Sequence, residues 1–169
     1  GDFHPDCLQC ICEYVKQARH TDIALKGVGC LERYARALPV PAAASGSGGG
    51  SSSSGAAAEG GQKLLSMLLR ALAESVLDAR VPVRDAALRS LFATLNRELA
   101  TGGALQGDFG LRAFDDVVLE VFKGTSNLEA AALTPAQLEW LDGTGAKAVS
   151  ELGRCLCAAV PLLEPKLEE

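Results

Sequence analysis

The stretch Asp78-Ala79-Arg80-Val81-Pro82-Val83-Arg84-Asp85-Ala86-Ala87-Leu88-Arg89-Ser90-Leu91-Phe92 decides how this chain folds. Asp78 to Val81 reads as a short turn. Pro82 suits the first turn of a helix, where its fixed φ is already helical and its missing N–H is not needed. Val83, Ala86, Ala87, Leu91, Leu95 and Leu99 recur at helical spacing and predict a helix from Pro82 to about Leu99, ended by Gly102 and Gly103. Asp78 and Arg84 stand six residues apart across the turn. An arginine in that place satisfies carboxylates and open carbonyls where one helix ends and the next begins. Asp78 and Arg84 are therefore expected to form a structural ladder between helices.

The same periodicity extends both ways. Before the turn, Leu64, Leu65, Leu68, Leu69, Leu72 and Val76 predict a helix over Gln62 to Leu77. Nearer the start, Cys7, Leu8, Ile11, Cys12, Val15 and Ala18 predict one from about Asp6 to Arg19. Ile23, Leu25, Val28, Leu31, Tyr34 and Leu38 predict another, opened at Thr21 or Asp22 and stopped by Pro39 and Pro41. Beyond Gly103, Phe114, Val117, Val118, Val121 and Phe122 predict a helix over Leu111 to Phe122. Thr134-Pro135 reads as a cap and first helical residue leading through Trp140 and Leu141. Gly143 and Gly145 are expected to interrupt it before a last helix over Ala146 to Leu163.

Composition agrees with an all-α fold. Leu and Ala fill 53 positions, whereas Ile and Val fill 13; straight-chain and small residues favour helix and β-branched ones favour strand. Residues 41–61 break the pattern, with a Gly/Ser/Ala run that offers nothing to bury. They are expected to be a disordered, flexible low-complexity insertion, lying between a first helical hairpin over 1–40 and further hairpins over 62–169. That run lacks the preceding strand and Gly-Lys-Ser/Thr ending of a phosphate-binding loop.

Paired helices joined by short turns are the unit of an α-solenoid. Sliding the chain by 58 residues pairs Leu25-Lys26-Gly27-Val28-Gly29 with Val83-Arg84-Asp85-Ala86-Ala87, and Tyr34-Ala35 with Phe92-Ala93. Removing the insertion leaves an offset of about 38, the period of HEAT and armadillo repeats. The Asp78/Arg84 spacing is also that of HEAT repeats, so the expected architecture is a solenoid of HEAT/armadillo-like helical hairpins.

His20 to Leu38 and Leu64 to Phe122 together resemble the armadillo/HEAT region of the large Arf guanine-nucleotide exchange factors and their relative Mon-two. The match rests on Asp22-Ile23-Ala24-Leu25-Lys26-Gly27-Val28-Gly29-Cys30-Leu31, then on Asp78, Arg80, Val83, Arg84, Ala87, Leu91 and Phe92. Where the family has a His-Gly turn and a Trp-led helix, this chain has Gly102-Gly103 and Phe114. The resemblance implies a non-catalytic scaffold in vesicle traffic, cytoplasmic and peripheral to Golgi and endosomal membranes. It implies protein partners, such as a small GTPase or trafficking machinery, and membrane contact through a parent protein only. The catalytic Sec-seven domain of those exchange factors has no counterpart in this sequence. Arg89 and Arg97, on the second helix of their hairpin, are the expected partner-facing residues. Two alternatives stand beside this reading: a HEAT adaptor of an unrelated system, and a small thiol- or metal-dependent helical enzyme.

Charge and motif content narrow the chemistry. The net charge of −5 comes with scattered Lys and Arg, which gives neither the basic face of a nucleic-acid binder nor a polybasic membrane patch. No apolar run approaches the ~20 residues of a membrane span, and the polar first residues, without an apolar stretch, lead to the expectation of no signal peptide. The start at Gly1, not Met, makes the chain an expected fragment of a longer protein. The six cysteines, at 7, 10, 12, 30, 155 and 157, are expected to be reduced, buried structural thiols. His4-x2-Cys7-x2-Cys10-x-Cys12 is the cluster most like a metal site. Cys10 and Cys12 point about 200° apart on a helix, however, so one helix cannot close a tetrahedron. His4 and His20 are the only histidines, and no nucleophile elbow is present. The expectation is no catalytic residue, no cofactor, no metal and no small-molecule substrate, with Trp140 and Phe114 as core aromatics.

Overall fold

A computed structural model of the chain describes residues 5–17, 19–38, 53–101, 115–122 and 134–163. The described residues are helical and contain no strand. In chain order they form α1 (Pro5–Gln17), α2 (Thr21–Ala37), α3 (Ser53–Val76), α4 (Val81–Ala100), α5 (115–122) and α6 (Pro135–Trp140). A π-helical segment, Leu141–Gly145, then leads into α7 (Ala146–Leu163). No helix among the described residues is long and apolar enough to cross a membrane.

The apolar spacing read from the sequence becomes the packed face of each helix. α1 presents Leu8 and Val15, two turns apart, with Ile11 and Cys12 alongside. Its first turn carries Asp6 and its last Lys16, the charges that favour each end of the helix dipole. α2 presents Ala24, Gly27, Val28, Leu31 and Ala35, and Leu38 closes the row. The cap position of α2 is His20, with Thr21 already helical, one residue earlier than the capping types predict. α1 and α2 approach closely because Gly27 has no side chain: a Cβ there would lie 2.4 Å from Val15 Cγ2.

α3 packs Leu65, Leu68, Leu69, Ala71, Leu72, Ala73 and Val76 inward. It starts at Ser53, nine residues before the expected Gln62. Residues 53–61 are therefore helical where a flexible insertion is expected, and 41–52 lie outside the described residues. Once the leucine-rich part is anchored, each further residue adds a hydrogen bond without a new nucleation step. Ala56-Ala57-Ala58 is also strong helix material.

α4 is the centre of the molecule. It touches α2, α3, α7 and the π segment, and α1 lies against α2 and α3. Its burial follows: Val83, Ala87, Leu88, Leu91, Phe92 and Leu95 are covered, and so are Arg84, Ser90, Thr94 and Glu98. Burial on nearly every side is what a helix acquires with neighbours around it.

The relation between α2 and α4 differs from the expected one. The two helices begin at Thr21 and Val81, sixty residues apart instead of 58. At that offset every buried α2 position meets a buried α4 position: Ala24 with Arg84, Gly27 with Ala87, Val28 with Leu88, Leu31 with Leu91, Ala35 with Leu95, Leu38 with Glu98. At 58, buried Ala35 falls on exposed Ala93 and exposed Lys26 on buried Arg84. The buried positions of the two helices thus coincide at an offset of sixty, whereas residue similarity, which does not weigh which face is inward, favours 58.

α5 buries Val117, Val118 and Val121; the expected start of this helix and Phe114 lie outside the described residues. α6 opens as read, on a capping box: Thr134 Oγ1 accepts from Gln137 N–H, and Gln137 Oε1 accepts from Thr134 N–H at 2.8 Å. Gly143 and Gly145 do not break the chain here. They sit in the wider π turn, and the helix continues into α7.

Candidate functional site

The turn between α3 and α4 gathers buried Arg84 and partly buried Asp78 and Arg80. Asp78 Oδ1 accepts from the Arg80 backbone N–H and from Arg80 Nε, both at 2.8 Å. Asp78 Oδ2 accepts from Arg80 Nη2 at 2.6 Å. This two-pronged bond, made across a turn of two residues, sets the chain's exit from α3 and places Arg80 as the N-cap residue of α4. The Arg80 hydrogen bonds hold the Asp78 carboxyl below the usual carboxylate range, against the opposing effect of burial. Arg80 Nη2 also reaches Val15 O at 3.4 Å, a carbonyl near the C-terminus of α1.

Arg84 is 7% exposed. Its Nη1 lies 3.4 Å from Asp78 O and 3.5 Å from Ala79 O, and its Nη2 donates to Glu139 Oε1 at 3.2 Å. The expected ladder is thus made differently: the Asp78 carboxylate is taken by Arg80, and Arg84 meets the carbonyl of Asp78. Arg84 Nε and Asp85 Oδ1 are buried with no hydrogen-bond partner among the described residues. Arg84 links its own turn to the last turn of α6. Next to it, Trp140 is buried, and its indole N–H donates to Val76 O, an end carbonyl of α3, at 3.1 Å.

A second polar junction lies at the other end of α4. Arg97 Nη2 donates to Ala35 O at 2.8 Å and to Glu98 Oε1 at 2.6 Å, and Arg97 Nε donates to the same oxygen. The Glu98 side chain is buried. Arg97 is partly exposed, and its guanidinium is engaged by groups of this chain. Arg89 is exposed on α4. Close to the α3–α4 turn, Lys16 pairs with Glu74 and joins α1 to α3, while Lys147 pairs with Asp85 and joins α7 to α4.

No family model, curated protein or solved structure matches this chain. Its reading rests on its own geometry.

The cysteines separate by burial. Cys155 is fully covered, its thiol donates to Asn96 Oδ1 at 3.0 Å, and burial pushes it up to about 11. Burial also raises Cys12, which is half-covered. Cys30 accepts from Arg33. Cys7, Cys10 and Cys157 are exposed, where buried thiols are expected: Leu8 and Val15 set the inward face of α1 and Ala148 and Cys155 that of α7, which turns these three outward. Among the described residues no three His, Cys, Asp or Glu side chains come together as metal ligands, and His4 lies outside those residues.

The sequence singles out Asp78, Arg84 and Trp140; Arg80 enters there only through the resemblance, with no partner assigned to it, and the contacts of Arg97 are not anticipated. The Asp78-Ala79-Arg80 spacing is a usable signal, since a side chain two residues on across a turn can return to the carboxylate. Arg97 carries no such signal, because its partner carbonyl is 62 residues away.

Proposed function

We propose that this chain is a non-catalytic helical scaffold, a segment of HEAT/armadillo-like α-solenoid serving vesicle traffic between Golgi and endosomes. The observation that carries the architectural part is the layering of helices. α1 packs on α3 and α2 packs on α4, with the buried positions of α2 and α4 in register at sixty residues. A hairpin stacked on a hairpin, first helix on first and second on second, is the unit step of a solenoid. α7 also packs on α4.

The buried charges support a structural reading. Arg80, Arg84 and Arg97 all donate to main-chain carbonyls near helix ends, which holds neighbouring helices together. Arg89 remains available on α4 for a partner. The trafficking assignment rests on the resemblance to Mon-two and the large Arf exchange factors, through Asp78, Arg80, Val83, Arg84, Ala87, Leu91 and Phe92.

The test is direct binding of the purified chain to Arf-class GTPases loaded with GDP or a GTP analogue, with nucleotide release followed in parallel. The expected result is binding weakened by Arg89→Glu, with no acceleration of release. Absence of binding to either nucleotide form, with diffuse distribution of the tagged chain in cells, would sink the trafficking assignment. Accelerated release would sink the non-catalytic one.

A further inference from the structure

We propose that Cys7 and Cys10 are a redox-active dithiol that closes into a disulfide within α1 on meeting a small disulfide of the glutathione type. Leu8, fully buried, fixes the rotation of the first turns of α1 and leaves Cys7 and Cys10 on its outer side, both exposed. They are the exposed thiols one turn apart; Cys157 lies far along the chain on α7, and its neighbour Cys155 is buried against Asn96.

Helix geometry selects the pair. With a rise of 1.5 Å and a radius near 2.3 Å, Cα atoms three residues apart are about 5 Å apart. That falls inside the roughly 4.4–6.8 Å window of a disulfide. Cys7 and Cys12, five residues apart, stand about 9 Å apart by the same geometry, beyond reach. Cys10 and Cys12 project about 200° apart, so their side chains diverge. Cys12 is also turned inward beside the Lys16–Glu74 pair, and burial pushes its thiol up.

Closing the bond needs the Cβ atoms to approach from about 5–6 Å to about 4 Å. The start of α1 permits this. α1 begins at Pro5, so the Cys7 N–H is among the first four, which have no acceptor within the helix. Tightening this turn breaks few hydrogen bonds, while the strain that remains keeps the disulfide easily reduced.

The exchange is balanced in two steps. One thiolate of the pair attacks the small disulfide, forming a mixed disulfide and releasing one small thiol. The second thiolate attacks the protein sulfur of that mixed disulfide, forming the Cys7–Cys10 bond and releasing the other small thiol. The two cysteines lose two electrons and two protons, and the small disulfide takes up both.

The test uses the full chain with oxidised glutathione, an acid quench, intact-mass measurement and peptide mapping. The expected product has lost two hydrogens, carries no glutathione in α1, maps to Cys7–Cys10 and is reversed by dithiothreitol. Cys10→Ser should instead stop with one glutathione retained on Cys7, and Cys7→Ser with one on Cys10. Both positions are exposed, and circular dichroism checks that the variants keep their helices. Wild-type chain that retains glutathione on both cysteines overturns the proposal, as does a disulfide through Cys12 or between chains. Wild-type chain that stays fully reduced at a concentration that modifies Cys10→Ser also overturns it.

Discussion

Arg97 Nη2 lies 2.8 Å from Ala35 O and 2.6 Å from Glu98 Oε1, so one guanidinium ties the C-terminal end of α2 to a buried carboxylate on α4. Removing it leaves the Glu98 carboxylate enclosed without its cation. Loss of one member of a buried pair costs about 3–5 kcal/mol, more than the pair contributes when whole. Arg97→Ala is therefore expected to lower the urea midpoint strongly. Arg97→Met combined with Glu98→Gln should recover part of the loss. Arg89→Ala, on the exposed side of the same helix, should stay within about 0.5 kcal/mol of wild type. Equal losses at Arg89 and Arg97 would contradict this assignment.

Gly27 and Val15 supply a steric counterpart. The Cβ of Gly27→Ala would meet Val15 Cγ2 at 2.4 Å, so α1 and α2 must separate or Val15 must change rotamer. Overpacking of this kind costs about 1–3 kcal/mol. The check is a double-mutant cycle. Val15→Ala destabilises the wild type by opening space, yet should cost much less, or stabilise, in the Gly27→Ala chain. Additive effects would mean that the two residues do not share the contact.

These cases show what the sequence carried and what it did not. Helix existence was legible almost everywhere, because each helix buries a face whose spacing is local. Thr134 was legible because its capping partner, Gln137, is three residues on. Gly143 and Gly145 read as helix breakers, since glycine weakens an isolated helix. The π turn accommodates them because Trp140 packs against Gly145, a reason visible only in three dimensions. The offset at which the buried positions of α2 and α4 coincide differs by two residues from the one similarity favours, for a similar cause: burial depends on neighbours that a self-comparison does not see. Of the candidate site, Asp78 and Arg84 were found because turn and helix adjoin. The contacts of Arg97 were not anticipated because Ala35 is on another helix.

Trp140 and Gly145 give a prediction of their own. A Cβ at Gly145 would lie 2.9 Å from Trp140 Cζ3, and the rigid ring has no flexible end to move aside. Gly145→Ala should therefore destabilise by about 1–3 kcal/mol, even though alanine is the better helix former. Gly143→Ala has open space around its Cβ and should be neutral or mildly stabilising. Thermal unfolding of the two variants side by side decides the matter; a reversed order would refute the packing of Trp140 over Gly145.

The Asp78 turn sets a pH dependence. Its carboxyl titrates below the ordinary value in the folded chain, chiefly because Arg80 donates to it. In the unfolded chain it titrates at the ordinary carboxylate value, so the unfolded state takes up the proton first as pH falls. The stabilisation from Asp78 is therefore complete above the unfolded value and lost as pH drops through the folded one. Asp78→Asn should lower stability near neutral pH and flatten the acid side of the stability profile, below about pH 4. Urea unfolding between neutrality and the acid limit measures both effects. A variant with the wild-type acid slope would show that the proton-linked stability resides in other carboxylates and that the Arg80 bond contributes none of it.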